Sequence, residues 1–400
     1  MLDSNAPRNQ VAPQTSKTRH MLASALLATT LLRGPQELTE AWDKATRIIT
    51  QSFYAKATRG EEMKKIFAKW EPKAKSAANR EEFGKVMNAM IDDFQDSHFA
   101  FLGNDSQGYY LFDGLSKIFA KKDGEPMPHI GAWFRSTPTG QQVQMLLEGG
   151  PAAKAGLRKG DIIASADGTA FHPINSLKDK SEVTLTYVRK GKNTEVKVSP
   201  LVQPGIKMFL DATNRSARVI ESGGKKYGYI HLWTQGGEDF VNAVHNAVAR
   251  FQSTDGFILD LRDGFGGRPE RYADPFFRPE VVLDWTIQGV QQKQYYGYGR
   301  PLVVIINEGS RSAKEVLSFI LKKSKRATLV GHNTAGAVLG TTPLRLNEWA
   351  FLEVPIATVT ADGVNLEDKG VAPDVFVKDE FDDAGTDLML KKAVEVLGKK

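Results

Sequence analysis

One stretch, residues 301–317, constrains the fold more than any other part of the chain. It reads Pro-Leu-Val-Val-Ile-Ile-Asn-Glu-Gly-Ser-Arg-Ser-Ala-Lys-Glu-Val-Leu. The aliphatic run after Pro301 predicts a buried strand, because such a run bounded by turn residues is typical of a sheet interior. Apolar residues then recur with helical spacing at positions 313, 316, 317, 320 and 321. A strand, a tight turn and a helix in this order raise a serine to the mouth of an α/β core.

Two serines lie in that turn, Ser310 and Ser312. The N-terminus of the following helix offers free N–H groups and a positive field. A serine there can act as a nucleophile, with the N–H of the next residue as an oxyanion donor. The alternative is that Ser310 or Ser312 only caps the helix.

The composition excludes several kinds of site. The 400 residues include no cysteine, so disulfides, thiolate nucleophiles and cysteine-ligated metals are excluded. The formal net charge of +6 is modest for this length, and acidic and basic residues are interspersed. We therefore expect no nucleic-acid partner. We also predict no metal and no cofactor, and the length suggests two or three domains.

The first 34 residues are predicted to be a disordered leader or a signal segment. Residues 1–20 are polar, and a short apolar run at 21–32 follows Lys17 and Arg19, as in a secretory signal. That run is too short to cross a bilayer, so we expect no stable membrane span. This pattern favours a periplasmic or secreted protein. The alternative is a packed N-terminal helix in a cytoplasmic protein.

Residues 35–105 are predicted to form a helical region. Apolar residues recur at three- and four-residue spacing in 37–53, 61–70 and 80–94. The last helix leads into the string Asp96-Ser97-His98. A single histidine at such a junction is more often structural than catalytic, so this position alone does not assign a function.

Residues 128–200 have the pattern of a small β-rich module. The pieces Gly-Pro-Ala-Ala-Lys-Ala-Gly-Leu, Lys-Gly-Asp-Ile-Ile and Ala-Asp-Gly follow one another between Gly150 and Gly168. This order resembles a PDZ domain, which implies that the module receives a peptide as an added strand. The resemblance implies a carboxylate-binding loop, and hence substrate contacts, at Ile130, Gly131 and Ala132. The alternative is a β-domain that only braces the core.

From residue 204 to 400 strand and helix patterns alternate. This alternation predicts an α/β core with a mostly parallel sheet covered by helices. Within it lie four motifs, which are Ile-Leu-Asp-Leu-Arg-Asp-Gly-Phe-Gly-Gly at 258–267, Gly-Ser-Arg-Ser-Ala-Lys-Glu-Val at 309–316, Leu-Val-Gly-His-Asn-Thr-Ala-Gly at 329–336 and Gly-Val-Asn-Leu-Glu-Asp-Lys-Gly-Val-Ala-Pro-Asp at 363–374. Together with the PDZ-like module, the set resembles the S41 family of serine peptidases, which includes C-terminal processing proteases.

One departure separates two branches of that family. Processing proteases use a lysine 25 positions after the serine, and from Ser312 that position is Ala337. Lys314 is closer in sequence, but it lies two residues along the helix and is expected to face elsewhere. The tricorn-like branch uses histidine instead, in an Asp-Ser-His string like the one ending at His98. A histidine base predicts activity that rises with an apparent pKa of about 6–7.

The resemblance to the tricorn-like branch implies a complete set of roles. Ser312 is implied as nucleophile, His98 as general base, Glu367 as the group that orients it and Ser97 as an assisting residue. Gly266 and the N–H of Ala313 are implied as the oxyanion hole, since the glycine turn at 264–267 lets backbone N–H groups point outward. The alternative for Gly264–Gly267 is a simple turn. Asp260 and Arg262 are interpreted as a structural pair.

Two functions are consistent with this pattern. The first is a serine peptidase acting on protein or peptide substrates, with their C-termini as one candidate target of the PDZ-like module. The alternative is a catalytically inactive protein on the same fold that binds a hydrophobic small molecule or a peptide. Joint retention of Ser312, His98 and Glu367 favours the enzyme.

Overall fold

The computed structural model describes residues 36–120, 122–278, 281–382 and 385–399. The segment 1–34, predicted to be a leader or signal, lies outside the described residues. The first described part is helical and comprises α1 (residues 36–52), α2 (Gly60–Lys75), α3 (Arg80–Asp92), β1 (Ala100–Gly103), α4 (Gln107–Lys117) and a 3₁₀ turn (Ile118–Ala120).

The helices of this region pack around an aromatic core because their apolar residues fall on one face. Phe53, Phe83 and Phe94 are buried there. The start of α3 is fixed by Asn79, whose side chain accepts a hydrogen bond from the N–H of Glu82 at 2.9 Å. The core continues into a later strand pair, so this region is one unit with part of the C-terminal half.

A β-rich module follows. Its elements are β2 (Pro126–His129), β3 (Ala132–Thr137), β4 (Gly140–Leu146), α5 (Pro151–Lys154), β5 (Ile162–Ala166), β6 (Thr169–Ala170), β7 (Val183–Arg189), β8 (Lys192–Val198) and β9 (Leu201–Pro204). The strand order is β3-β4-β5-β7-β8, with β6 paired to β5, and β2 pairs with β9 where the chain enters and leaves the module. The strands alternate buried and exposed positions and enclose a separate apolar core.

The remaining elements build the α/β core. The helices are α6 (Gly205–Ser216), α7 (Glu238–Arg250), α8 (Asp274–Phe277), α9 (Ala313–Lys323) and α10 (Leu388–Gly398). The strands are β10 (Arg218–Ser222), β11 (Lys225–His231), β12 (Thr234–Gln235), β13 (Gly256–Asp260), β14 (Phe265–Gly267), β15 (Val281–Ile287), β16 (Val290–Tyr296), β17 (Leu302–Ile306), β18 (Ala327–Gly331), β19 (Gly340–Arg345), β20 (Ala350–Ala357), β21 (Thr360–Ala361), β22 (Val364–Asn365) and β23 (Val375–Phe376).

The central sheet confirms the predicted fold class. Its order is β10-β11-β13-β17-β18-β23, with β10 antiparallel to β11 and every other neighbouring pair parallel. β13 and β17 are buried along their whole length because helices cover both faces of the sheet. Parallel strands place their carboxyl ends at one edge, so the loops after β13 and β17 meet there.

A strand pairing joins the helical region to the core. β1 pairs antiparallel with β20, which brings the end of the helical region against the core. The hairpin β15–β16 was not predicted, although Leu283, Trp285 and Ile287 alternate with the polar Asp284 and Thr286. In the part of the chain that the structure describes, no helix has the length and apolar character needed to cross a bilayer.

Candidate active site

The two serines after β17 have different surroundings. Ser310 is fully buried, donates from Oγ to the carbonyl of Leu261 at 2.8 Å and accepts from the N–H of Asn307 at 3.0 Å. It therefore ties the turn to the end of β13. Ser312 is half-buried and is the N-cap of α9, with φ 60° and ψ −130°. A non-glycine residue in that region is strained, and such strain is concentrated at functional sites.

Glu315 holds the serine turn in place. Its fully buried carboxylate accepts from the N–H of Ser312 at 3.1 Å and from the N–H of Ala337 at 2.8 Å. It also accepts from the hydroxyl of Thr334 and the N–H of Gly336, both at 2.7 Å. Burial raises the pKa of Glu315, and these four donors oppose that effect. The carboxylate thus joins the first turn of α9 to residues 334–337.

The backbone of Gly266 lies directly against Ser312. A Cβ at Gly266 would lie 2.4 Å from Ser312 Cβ, 2.7 Å from Ser312 Oγ and 2.9 Å from the nitrogen of Ala313, so the position has no room for a side chain. Glycine therefore allows the backbone of residue 266 to approach both the hydroxyl of Ser312 and the first N–H of the helix, as backbone donors of an oxyanion hole require.

Lys314 supports the turn that carries Gly266, although no role was predicted for it from the sequence. It is fully buried, and its Nζ donates to the carbonyl of Asp263 at 2.6 Å and approaches that of Arg262 at 3.4 Å. Burial lowers the pKa of Lys314 to about 7, against the opposing charge of Asp263 and other carboxylates. Since Leu317 and Leu321 lie three and seven residues on, helical spacing could have placed it on the buried face.

His98 is buried in the loop between α3 and β1. It has φ 55°, and its Nδ1 lies 3.0 Å from Ser97 Oγ. The preceding Asp96 accepts from Tyr54 at 2.8 Å and from Arg59 at 2.6 Å, which anchors the loop. Burial, and then the charge of Arg311, lowers the pKa of His98 to about 3. This is well below the value of about 6–7 that a histidine base predicts from sequence.

Ser312 and His98 are not joined by a hydrogen bond within the described ranges of the chain. The link between their segments is electrostatic, because Arg311 precedes Ser312 and its charge lowers the pKa of the imidazole. When Nδ1 carries the ring proton and donates it to Ser97 Oγ, Nε2 is unprotonated and can accept a proton from a hydroxyl.

Glu367 contacts the segment that follows Ala337. Its Oε2 accepts from the N–H of Val338 at 2.6 Å and from that of Leu339 at 3.0 Å. The neighbouring Ala337 accepts from the N–H of Ser312 at 2.8 Å. The carboxylate thus fixes the segment that contacts the serine, and its observed partners are backbone groups of that segment.

Asp260 and Arg262 form a buried ion pair at 2.6 Å, and Arg262 also pairs with Asp387 at 2.6 Å. Although burial acts to raise it, the charge of Arg262 holds the pKa of Asp260 below its usual value. The pair fixes the end of β13. Among the described residues no group of histidine and acidic side chains is arranged to hold a metal ion.

The predicted carboxylate-binding loop lies at the start of β3. Ile130 and Ala132 are fully buried, and Gly131 has φ 72°. The N–H of Gly131 donates to His129 Nδ1 at 3.0 Å, and the carbonyl of Ile130 accepts from Ala152 at 2.7 Å. The loop is thereby held against the segment that enters α5.

The β-rich module contacts the core at the turn that leads to Gly266. Lys159 of the module donates to Asp263 and to Asp379, each at 2.7 Å. Glu148 accepts from Trp233 at 2.6 Å and lies 2.8 Å from His231 Nδ1. The module therefore braces the core as well as offering a β-surface of its own.

Three family models match the chain. Peptidase family S41 matches residues 226–377, the PDZ domain matches 128–199 and the tricorn protease C1 domain matches 35–92. A chloroplastic C-terminal processing peptidase of Tetradesmus obliquus is 27% identical over 391 residues, covering 88% of this chain and 79% of that protein. A carboxyl-terminal-processing protease of Synechocystis is 29% identical over 273 residues, which is 62% of either chain.

Solved structures share the fold. A photosystem II D1 C-terminal processing protease superimposes with a TM-score of 0.52 at 22% identity, covering 90% of this chain and 97% of that one. The tricorn protease superimposes with a TM-score of 0.57 at 19% identity, covering 91% of this chain and 37% of that one. The matches therefore extend over the helical region, the β-rich module and the α/β core together.

Proposed function

The chain belongs to peptidase family S41, and we propose that it hydrolyses peptide bonds with Ser312 as the nucleophile and His98 as the general base. One observation carries this proposal. Ser312 has a strained backbone at the N-terminus of α9, and the backbone of Gly266 lies close to both its hydroxyl and the N–H of Ala313. A helix cap alone requires neither the strain nor the close approach of a glycine backbone.

The proposed reaction uses groups already described. The hydroxyl of Ser312 attacks the substrate carbonyl carbon while its proton moves to Nε2 of His98. The carbonyl oxygen becomes an oxyanion, which accepts from the N–H groups of Gly266 and Ala313. The C–N bond then breaks, and the imidazolium returns the proton to the leaving amine. Water hydrolyses the acyl-enzyme by the same steps in reverse.

The other predicted residues act by positioning. In the proposed tautomer Ser97 Oγ accepts from the Nδ1–H of His98, which leaves Nε2 unprotonated and able to take the proton. Glu367 is proposed to orient the site through the segment it holds, since that segment contacts the N–H of Ser312. The low pKa of His98 keeps the imidazole neutral, and therefore unprotonated, across the neutral range.

The PDZ domain is proposed to bind the substrate peptide, with a C-terminus as the favoured ligand. Ile130, Gly131 and Ala132 are its proposed contacts.

Export to the periplasm or the medium is a further proposal, supported by the apolar run at 21–32. Amino-terminal sequencing of the protein from each cell fraction tests it.

Covalent labelling tests the nucleophile. A fluorophosphonate should modify wild type at Ser312, located by mass spectrometry of the labelled peptide. Ser312→Ala should lose both the label and hydrolysis, and His98→Ala should lose hydrolysis by at least about 10³-fold, because the two residues act as a unit. Turnover retained by His98→Ala would reject the histidine base.

The absence of a hydrogen bond between Ser312 and His98 in the described chain favours one competing function, that of an inactive binding protein. In that case wild type would take up no fluorophosphonate and cleave no peptide, yet would still bind a ligand. Labelling of wild type excludes this alternative.

A further inference from the structure

Arg311 is a cation beside the nucleophile that the proposed mechanism does not use. It lies between the buried Ser310 and the half-buried Ser312, and its own side chain is half-buried. Across the described ranges, with their short gaps, its guanidinium makes no hydrogen bond, ion pair or ring contact. By contrast, Arg189 and Arg262 pair with carboxylates at 2.6 Å.

The charge of Arg311 acts on two titratable groups near the serine turn. It is a cause of the lowered pKa of His98, and it opposes the burial that raises the pKa of Glu353 to about 7. Glu353 lies in β20 directly across from Ala100 of β1, two residues beyond His98. The guanidinium therefore lies near the serine turn and the β1–β20 pair together.

The side chain of Glu353 lies on the side of β20 that faces away from the core of the helical region. Its neighbours Leu352 and Val354 are fully buried in that core, so alternation along β20 directs Glu353 to the other side. No ion pair joins Glu353 to Arg311 among the residues described. Arg311 therefore has no direct carboxylate partner among the described residues, although its charge interacts with Glu353 at longer range.

We propose that Arg311 binds a carboxylate of the substrate next to the scissile bond and makes the enzyme selective for anionic peptides. This rests on the proposed peptidase function. A guanidinium presents a planar fork of N–H donors that matches a carboxylate in bidentate fashion. Since adjacent Cα atoms are about 3.8 Å apart, Arg311 is within reach of substrate residues bordering the bond that Ser312 attacks.

Binding of such a group has a consequence for the base. A bound carboxylate neutralises Arg311 and removes one of the two causes that lower the pKa of His98. The imidazole then accepts the proton of Ser312 more readily. Correct substrates are thus favoured in the chemical step as well as in binding.

The carboxylate can come from an acidic side chain or from the free C-terminus of the substrate, and matched peptides distinguish the two. We would measure kcat/KM of the full chain for peptides with Asp or Glu, or Asn or Gln, on either side of the cleaved bond. Each would be prepared as free acid and as C-terminal amide. For one of these two carboxylates, kcat/KM of wild type should be roughly 10- to 100-fold higher than for the matched neutral peptide.

The variant Arg311→Gln should reduce that preference to near unity, and Arg311→Lys should retain part of it. Arg47→Gln, which removes an exposed arginine on α1, serves as the matched control and should keep the wild-type ratio. A wild-type ratio near one, or a ratio unchanged in Arg311→Gln, would overturn the proposal.

A binding measurement separates this proposal from the peptidase function itself. In the Ser312→Ala background, fluorescence anisotropy should show tighter binding of the carboxylate peptide than of its neutral partner. Adding Arg311→Gln should remove that difference. If wild type cleaves nothing yet this difference is present, the selectivity stands and the peptidase function fails; equal binding of both peptides would reject the role of Arg311.

Discussion

The N–H of Ser312 donates to the carbonyl oxygen of Ala337 at 2.8 Å, so the serine turn directly contacts the position 25 residues later. The resemblance to processing proteases implies a lysine base at that position, where this chain has alanine. Ala337 is held on both sides, because its own N–H donates to Glu315 at 2.8 Å. The segment that contacts the serine turn is therefore fixed in place by backbone hydrogen bonds.

The close approach of the Gly266 backbone to Ser312 gives the first prediction. Gly266→Ala should lower kcat by at least about 10²-fold, because its methyl group would lie 2.7 Å from Ser312 Oγ and obstruct the oxyanion position. Peptide hydrolysis and thermal unfolding would be measured together. Gly60→Ala is the control, since nothing lies within 4 Å of its added Cβ. Wild-type kcat in Gly266→Ala would show that the oxyanion position lies elsewhere.

Glu315 gives the second prediction. Glu315→Gln should lower the free energy of unfolding by about 3 kcal/mol, because an amide cannot accept from all four donors and leaves some buried N–H groups unpaired. Urea denaturation measures the loss. The control is Glu395→Gln, which removes an exposed ion pair on α10 and should have a much smaller effect, because solvent screens exposed pairs. Equal effects of the two would contradict the role of Glu315.

Much of this site could be predicted from sequence, because local patterns encode it. The aliphatic run before Asn307 and the periodic residues after Ser312 specify the strand and the helix, and the glycines at 264–267 specify the turn. The hairpin β15–β16 could have been found too, since Gln288 and Gly289 both have positive φ in a turn between alternating strands.

Other features depend on contacts between distant segments and have no local signal. Arg311 and Glu353 are 42 positions apart, and only the pairing of β1 with β20 brings Glu353 towards the site. The four donors of Glu315 come from two segments. The lowered pKa of His98 likewise depends on burial, which local sequence does not determine.

The third prediction concerns stability in acid. The pKa of His98 is about 3 in the folded protein and ordinarily about 6.5, so the unfolded chain binds the proton more readily between these values. Stability contributed by the neutral imidazole is present above about pH 6.5 and is lost as pH falls towards 3. His98→Gln removes this loss.

Urea unfolding of wild type and His98→Gln from pH 7 to pH 4 measures the effect. The difference between them should move in favour of the variant by about 3 kcal/mol at pH 4, at about 1.4 kcal/mol per pH unit. A constant difference across this range would mean that His98 takes up its proton in the folded state as it does in the unfolded chain.

The last prediction returns to Ala337. If His98 is the base, Ala337→Lys should not raise kcat/KM, since its ammonium would enter a site that already holds the unpaired Arg311 and would be desolvated without a partner. The same charge would lower the proton affinity of His98 further. We therefore expect a loss of activity, measured as kcat/KM against pH for wild type and variant on one fluorogenic peptide.

Wild-type activity should extend well below pH 6, because burial and Arg311 keep the imidazole neutral there. A wild-type profile that rises only above about pH 9, together with a gain on introducing lysine, would assign the reaction to an amine base.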